Sequence, residues 1–139
     1  ILSREERHVV LLGNRSDTGL ALKLSNRING PRLINMVGKT SLLDLVAVLK
    51  AAAVGVGPDS GPGHLAAAVG TPYVSLFGPT SPARTAPYGS EHLVVQSTID
   101  CAPCYKRRCP GLDRLCMRSI DVERVRKKLS QALASQGIT

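Results

Sequence analysis

Residues 57–64, with the sequence Gly-Pro-Asp-Ser-Gly-Pro-Gly-His, bring together in one short turn the residue types that bind anions and other polar ligands. They follow an apolar run at 51–56 and precede the alanine-rich stretch 65–68, so we expect a strand, a tight turn and a helix start. A helix N-terminus offers free backbone N–H groups and the positive end of the helix dipole, which favour an anionic ligand. Glycines would let such a ligand approach the backbone closely. The candidate binding residues are Asp59, Ser60, Gly61, Pro62, Gly63 and His64.

The same stretch also has a purely structural interpretation. Asp59 and Ser60 can cap the helix without binding a ligand, and His64 can be a structural histidine. A hydrolase is disfavoured, because a nucleophile elbow has the pattern Gly-x-Ser-x-Gly, whereas Ser60 lies in Gly-Pro-Asp-Ser-Gly. A ligand site and a capped turn are therefore the two alternatives that these residues leave open.

Four cysteines form a second group of reactive side chains, with the spacing Cys-x2-Cys-x4-Cys-x6-Cys: Cys101, Cys104, Cys109 and Cys116. The first pair has the spacing of a zinc site, but the later spacings do not match a standard zinc ribbon or finger. A disulfide framework is not expected in a cytoplasmic protein. The alternatives are a structural zinc ion and free or partly buried thiols, and we predict no other cofactor.

Positive charge is concentrated in the C-terminal part of the chain. Between residues 101 and 128, nine Lys and Arg accompany three Asp and Glu, which gives this segment +6 of the total net charge of +8. Such a segment suits an anionic partner, either a phosphorylated substrate, an acidic membrane surface or a nucleic acid. One Phe, three Tyr and no Trp provide little surface for stacking bases, so we predict no nucleic-acid partner. A solvated basic face without a partner is the alternative.

Length and hydropathy favour one domain in the cytoplasm. The 139 residues are enough to bury a core. No apolar run approaches the roughly 20 residues that a membrane span needs, and no signal peptide opens the chain. We therefore expect a cytoplasmic protein.

Apolar runs and helical patterns alternate along most of the chain. Strands are predicted at 8–12, 33–37, 53–57 and 73–77, with a short last strand at 92–95. Five helices are predicted. The first is a tail over 1–7, the second ends at about Arg27 before the second strand, and the third runs from a Ser41 cap to residue 53. The fourth follows the turn at 57–64 and ends at about residue 69, and the fifth begins at an Asp121 cap. This alternation predicts an α/β fold, a Rossmann-like parallel sheet buried under helices on both faces. Ligands of such sheets bind beyond the carboxyl ends of the strands.

Several short motifs, taken in order, resemble the heptosyltransferases of glycosyltransferase family 9. They are Gly-Lys-Thr-Ser-Leu at 38–42, Asp-Ser-Gly-Pro-Gly-His-Leu-Ala-Ala-Ala at 59–68, Gly-Thr-Pro at 70–72, Leu-Phe-Gly-Pro-Thr-Ser-Pro at 76–82, Pro-Tyr-Gly at 87–89, and the cysteine segment ending in Cys-Met at 116–117. The resemblance implies the C-terminal, donor-binding half of a two-domain GT-B enzyme, without its first strand. We therefore divide the single predicted domain into a Rossmann-like core (1–96), a cysteine-rich loop (97–119) and a basic helix (120–136).

The resemblance also implies roles for the candidate residues. The donor would be ADP-heptose, with its pyrophosphate on the backbone of residues 60–63, its sugar hydroxyls on Asp59, and His64 near the phosphates or sugar. Thr40 would contact the adenine and Asp17 the ribose. The acceptor would be the lipid-linked inner core of lipopolysaccharide at the anionic inner leaflet of the membrane, and the sugar would be transferred with inversion.

The base that catalyses this transfer would lie in an N-terminal domain absent from this chain, so the resemblance implies no catalytic residue here and donor binding without turnover. The remaining alternatives are another GT-B transferase, a nucleotide-sugar epimerase, or a non-enzymatic basic module, zinc-stabilised, that binds nucleic acid.

Overall fold

The computed structural model describes residues 7–28 and 30–138. They form two compact units, one within Ile1–Leu45 and the other within Val46–Thr139, called here the N-terminal and C-terminal units. The helical tail predicted over residues 1–7 rests on residues 1–6, which lie outside the described part. The single domain and its three-part division stay predictions.

The N-terminal unit holds one parallel strand pair and one helix. Strand β1 (Val9–Leu11) pairs with β2 (Leu33–Asn35), and between them a 3₁₀ turn (Arg15–Asp17) leads into helix α1 (Thr18–Ile28). The parallel pairing is as predicted. The predicted burial of β1 on both faces is wrong, because among the described residues this sheet has only two strands and all three residues of β1 are half-exposed.

Helix α2 (Leu42–Ala51) begins in the N-terminal unit and ends in the C-terminal unit. Its predicted cap is confirmed: the Ser41 hydroxyl and backbone N–H both donate to Asp44 Oδ2, at 2.7 and 2.9 Å. The Asp44 N–H donates in turn to Ser41 Oγ at 3.2 Å. These bonds from Ser41 hold the pKa of Asp44 below its ordinary value, because they stabilise the ionised carboxylate.

The C-terminal unit is built on three parallel strands. Strands β3 (Gly55–Pro58), β4 (Tyr73–Phe77) and β5 (Val95–Gln96) lie in that order, and helix α3 (Gly61–Ala68) connects the first two. Helix α6 (Val122–Ser135) packs on β4 and β5, and its Asp121 cap, predicted from sequence, accepts the N–H of Glu123 at 3.1 Å. The core of this unit combines the sheet with that helix: Val74, Leu93, Val95, Leu129 and Ala132.

One aromatic ring fixes the spacing between β3, β4 and α3. Tyr73 of β4 is 5% exposed and lies directly opposite Gly55 of β3. A Cβ on Gly55 would lie 2.5 Å from Tyr73 Cδ2, and a Cβ on Gly57 would collide with the Tyr73 hydroxyl. A Cβ on Gly63 of α3 would lie 3.1 Å from the opposite edge of the ring. Three glycines around the candidate turn are thus required by packing, and the burial raises the pKa of Tyr73.

Three predicted details differ from the structure. The last strand is Val95–Gln96 and not 92–95, because residues Glu91–Leu93 form a 3₁₀ turn that buries Leu93. The predicted loop after β4 contains a short helix, α4 (Pro82–Thr85), and the cysteine-rich loop contains another, α5 (Leu115–Arg118).

In the described ranges, no helix has both the length and the apolar character needed to span a bilayer.

Candidate functional site

The N-terminus of α3 is open toward ligands because no side chain caps it. Ser60 occupies the N-cap position in an extended conformation, yet its hydroxyl donates to the carbonyl of Pro58 at 3.1 Å. The alternative in which Asp59 or Ser60 caps this helix is therefore not what the structure shows. Pro62 has no N–H, and the N–H of Gly63 donates to the carbonyl of Ser60 at 3.1 Å. The first turn thus keeps its dipole without an acidic side chain to neutralise it.

The two glycines of this turn differ in what surrounds them. A Cβ on Gly61 would meet no heavy atom within 4 Å, so this exposed position is open to a ligand. Gly63 is buried, and a Cβ there would lie 3.1 Å from the Tyr73 ring and 3.2 Å from Pro87. A ligand could therefore approach the backbone closely at Gly61, whereas Gly63 has no side chain because Tyr73 and Pro87 pack against it.

Asp59 is held by a residue that the sequence analysis did not single out. Thr85, at the end of α4, donates from Oγ1 to Asp59 Oδ2 at 2.9 Å, and the Asp59 N–H donates to the carbonyl of Leu76 at 3.2 Å. The two side chains are 26 positions apart, and no periodicity or spacing rule joins them. The Asp59 carboxylate is half-buried beside the start of α3.

His64 lies on the exposed surface of the first turn of α3. Within the described residues, no hydrogen bond links it to Asp59 or Ser60. The three side chains are therefore close in sequence without forming the connected acid, base and nucleophile that a serine hydrolase requires. The structure gives no support to that alternative.

Asp17 and Thr40 lie in the N-terminal unit, after β1 and β2. The Asp17 carboxylate accepts the N–H of Asn14 at 2.9 Å and completes a capping box, so one of its oxygens has a structural role. Thr40 is half-buried and lies two residues after Gly38, whose N–H donates to the carbonyl of Gly13 at 2.9 Å. Gly38 has a φ of +72°, which favours glycine. The carboxyl ends of β1 and β2 thus meet, with Asp17 and Thr40 in the loops beyond them.

All four cysteines contribute to the lining of one cavity of about 140 Å³ in the C-terminal unit, and all four are free thiols. Cys101 is exposed and Cys116 is buried. The arrangement does not fit a metal ion as it stands, because no three His, Cys, Asp or Glu side chains in the described residues lie close enough to share one. The segment also packs on the end of β4, where a Cβ on Gly78 would lie 2.5 Å from the Met117 sulfur.

Some basic residues of the C-terminal unit form ion pairs or hydrogen bonds, and others are exposed without an ion pair to a described residue. Arg118 pairs with Asp113 and Arg126 with Glu123, each at 2.9 Å, and Lys128 donates to the carbonyl of His92. Three consecutive basic residues in the cysteine-rich segment are exposed: Lys106, Arg107 and Arg108. Exposed ion pairs of this kind contribute little to stability. Within the described part of the chain, neither of these two ion pairs involves residues 106–108.

Comparison with known proteins gives consistent results. The model of the family described as glycosyltransferase family 9 (heptosyltransferase) matches residues 1–113. Over 90 residues the chain is 43% identical to lipopolysaccharide heptosyltransferase 1 of Pseudomonas aeruginosa, a match covering 65% of this chain and 23% of that protein. It is 28% identical to lipopolysaccharide heptosyltransferase 2 of Salmonella typhimurium, covering 99% of this chain and 40% of the relative.

Among solved structures, the ADP-heptose lipopolysaccharide heptosyltransferase II of E. coli superposes with a TM-score of 0.73 and 26% identity. That match covers 94% of this chain and 37% of the E. coli chain. The glycosyltransferase family 9 protein of Veillonella parvula gives a TM-score of 0.75 at 23% identity. The predicted α/β fold with parallel strands is confirmed, and the chain spans less than half the length of these relatives.

Proposed function

Because the chain belongs to glycosyltransferase family 9, we propose that it forms the nucleotide-sugar-binding part of a heptosyltransferase. The reaction is transfer of a heptose from ADP-heptose to the inner core of lipopolysaccharide, with inversion at the sugar. The names of the relatives from P. aeruginosa, S. typhimurium and E. coli support the heptose and the acceptor, and that of the E. coli enzyme supports the ADP-linked donor.

The observation that carries this proposal is the uncapped start of α3 beside a fixed carboxylate. A diphosphate is favoured by backbone donors and a positive dipole, and the start of α3 offers the dipole and the backbone N–H of Gly61, where a Cβ would meet no heavy atom within 4 Å. A sugar needs an acceptor of fixed orientation for its hydroxyls, and Asp59 is oriented by Thr85. His64, on the exposed first turn, is assigned to the phosphates or sugar. Asp17 and Thr40 are assigned to the ribose and adenine.

The proposed setting is the cytoplasmic surface of the inner membrane. A phosphorylated lipid-linked acceptor and an anionic leaflet both favour a basic protein, and the exposed cations at 106–108 supply such charge. Salt should therefore weaken binding to anionic vesicles.

Calorimetric titration tests the donor site. The chain should bind ADP and ADP-heptose in preference to UDP. Asp59→Ala should lower the affinity for ADP-heptose more than that for ADP, because the carboxylate is assigned to the sugar. His64→Ala should lower at least the affinity for ADP-heptose. Asp100→Ala, which removes an exposed carboxylate elsewhere in the C-terminal unit, is the matched control. Equal binding of UDP, or no effect of Asp59→Ala, would contradict the assignment.

A further inference from the structure

We propose that Thr85 is a positioning residue that holds the Asp59 carboxylate in its sugar-binding orientation, and that Tyr105 of the cysteine-rich segment braces the helix carrying Thr85. This rests on the proposed function, because it concerns the sugar end of the same site. Neither residue belongs to the turn at 57–64, and both act through Asp59 without contacting the donor themselves.

The hydrogen-bond geometry at Asp59 leaves one carboxylate oxygen for a ligand. Thr85 Oγ1 lies 2.9 Å from Asp59 Oδ2 and 3.4 Å from the carbonyl of Ser81. A hydroxyl has one proton, and the shorter bond to a charged acceptor is the stronger of the two. No described residue donates to Asp59 Oδ1. Asp59 is thus fixed through its backbone and through one oxygen, while the other oxygen is free for a sugar hydroxyl.

Tyr105 links the cysteine-rich segment to the loop and helix that carry Thr85. Its backbone N–H donates to the carbonyl of Pro79 at 2.7 Å, and its ring lies 5.2 Å from Cζ of Arg84, the residue before Thr85. Tyr105 also has a φ of +55°, a left-handed conformation that is unfavourable for a non-glycine residue. The two contacts touch both ends of the stretch 79–84, one through the Tyr105 backbone and the other through its ring.

Calorimetric titration of the full chain tests the first part. Thr85→Val removes the hydroxyl at nearly constant volume. It should lower the affinity for ADP-heptose by about three- to tenfold, the range expected for a partly exposed hydrogen bond to a charged group. ADP affinity should be unchanged, because the carboxylate faces the sugar. Thr85→Ser keeps the hydroxyl and should bind like the wild type. Thr98→Val, at an exposed threonine outside the site, is the control.

Tyr105→Ala should reproduce the selective loss of ADP-heptose binding, whereas Tyr105→Phe keeps the ring and should not. Equal loss of ADP and ADP-heptose in either alanine or valine variant would indicate general damage and would overturn the positioning role. So would wild-type ADP-heptose binding in Thr85→Val.

The carboxyl ¹³C resonance of Asp59 gives a readout that does not depend on the ligand. Its chemical shift should change in Thr85→Val and stay the same in Thr85→Ser. An unmoved resonance in both variants would refute the contact between the two residues. If the wild-type chain binds no ADP-heptose, the proposed function fails, and this resonance still decides whether Thr85 holds Asp59.

Discussion

Gly55→Ala offers the sharpest test of how the candidate site is built. The new Cβ would lie 2.5 and 2.8 Å from two carbons of the Tyr73 ring, where carbon atoms normally approach to about 3.5–4.0 Å. The ring would have to move by roughly 1 Å. Its opposite edge already lies against Gly63, so it has little room to move.

Overpacking costs about 1–3 kcal/mol, and because the ring that the new Cβ would meet is buried and has little room to move, we place Gly55→Ala near the upper end. For a chain of this size each kcal/mol lowers the Tm by about 3 °C, so we expect a drop of about 6–9 °C. Urea and thermal unfolding followed by circular dichroism measure both quantities. Gly61→Ala is the matched control, because its Cβ meets nothing within 4 Å, and its stability should change by less than about 0.5 kcal/mol.

A double variant isolates the cause. Gly55→Ala combined with Tyr73→Leu should cost less than the two single changes added together, because the smaller side chain removes the collision. Additive losses, or a Gly55→Ala chain as stable as Gly61→Ala, would refute the assignment of Gly55 to the Tyr73 ring.

Three further predictions concern a cap, a buried hydroxyl and the thiols. Since Ser41 lowers the pKa of Asp44, the stabilisation from this cap is present above the ordinary Asp pKa and is lost as the pH falls through the lowered value. Ser41→Ala should therefore raise the pKa of Asp44 in an NMR titration, and an unchanged pKa would contradict the cap. Thr71 is 4% exposed and donates to the carbonyl of Leu49 at 2.8 Å, so Thr71→Val should lose about 1–2 kcal/mol in urea unfolding and Thr71→Ser much less. No three of the described His, Cys, Asp or Glu side chains lie close enough to share a metal ion, so native mass spectrometry with added zinc should show no bound ion. One bound ion that is lost in Cys104→Ser would contradict this expectation and support the structural zinc proposed from sequence.

Local sequence signals predicted those parts of the structure that depend on neighbouring residues. The caps by Ser41 and Asp121 were readable because the cap and its backbone donor are two or three positions apart. The parallel strands were readable from apolar runs alternating with helical patterns. Such features need no knowledge of long-range packing.

Long-range contacts were not readable in the same way. Gly63 looked like a glycine for ligand approach, yet its hydrogen faces a tyrosine that follows ten positions later. Thr85 reaches Asp59 from a short helix within residues 78–89, a segment that the sequence predicted as a loop. Both contacts join segments that follow β3 and β4 and that the parallel pairing of these strands brings near each other, and no spacing rule contains that pairing.

The burial of β4 has a consequence for how the site moves. Four of its five residues are buried, and Val74 and Phe77 are fully enclosed. The Asp59 backbone N–H donates to the carbonyl of Leu76 of this strand, so the Asp59 backbone is anchored to a buried strand, which we expect to open last. Amide exchange along β4 should require unfolding of the whole C-terminal unit, whereas the exposed segment at 106–108 should exchange quickly. A sugar nucleotide would then bind to a surface that is already ordered, and little conformational entropy would be lost at Asp59 on binding.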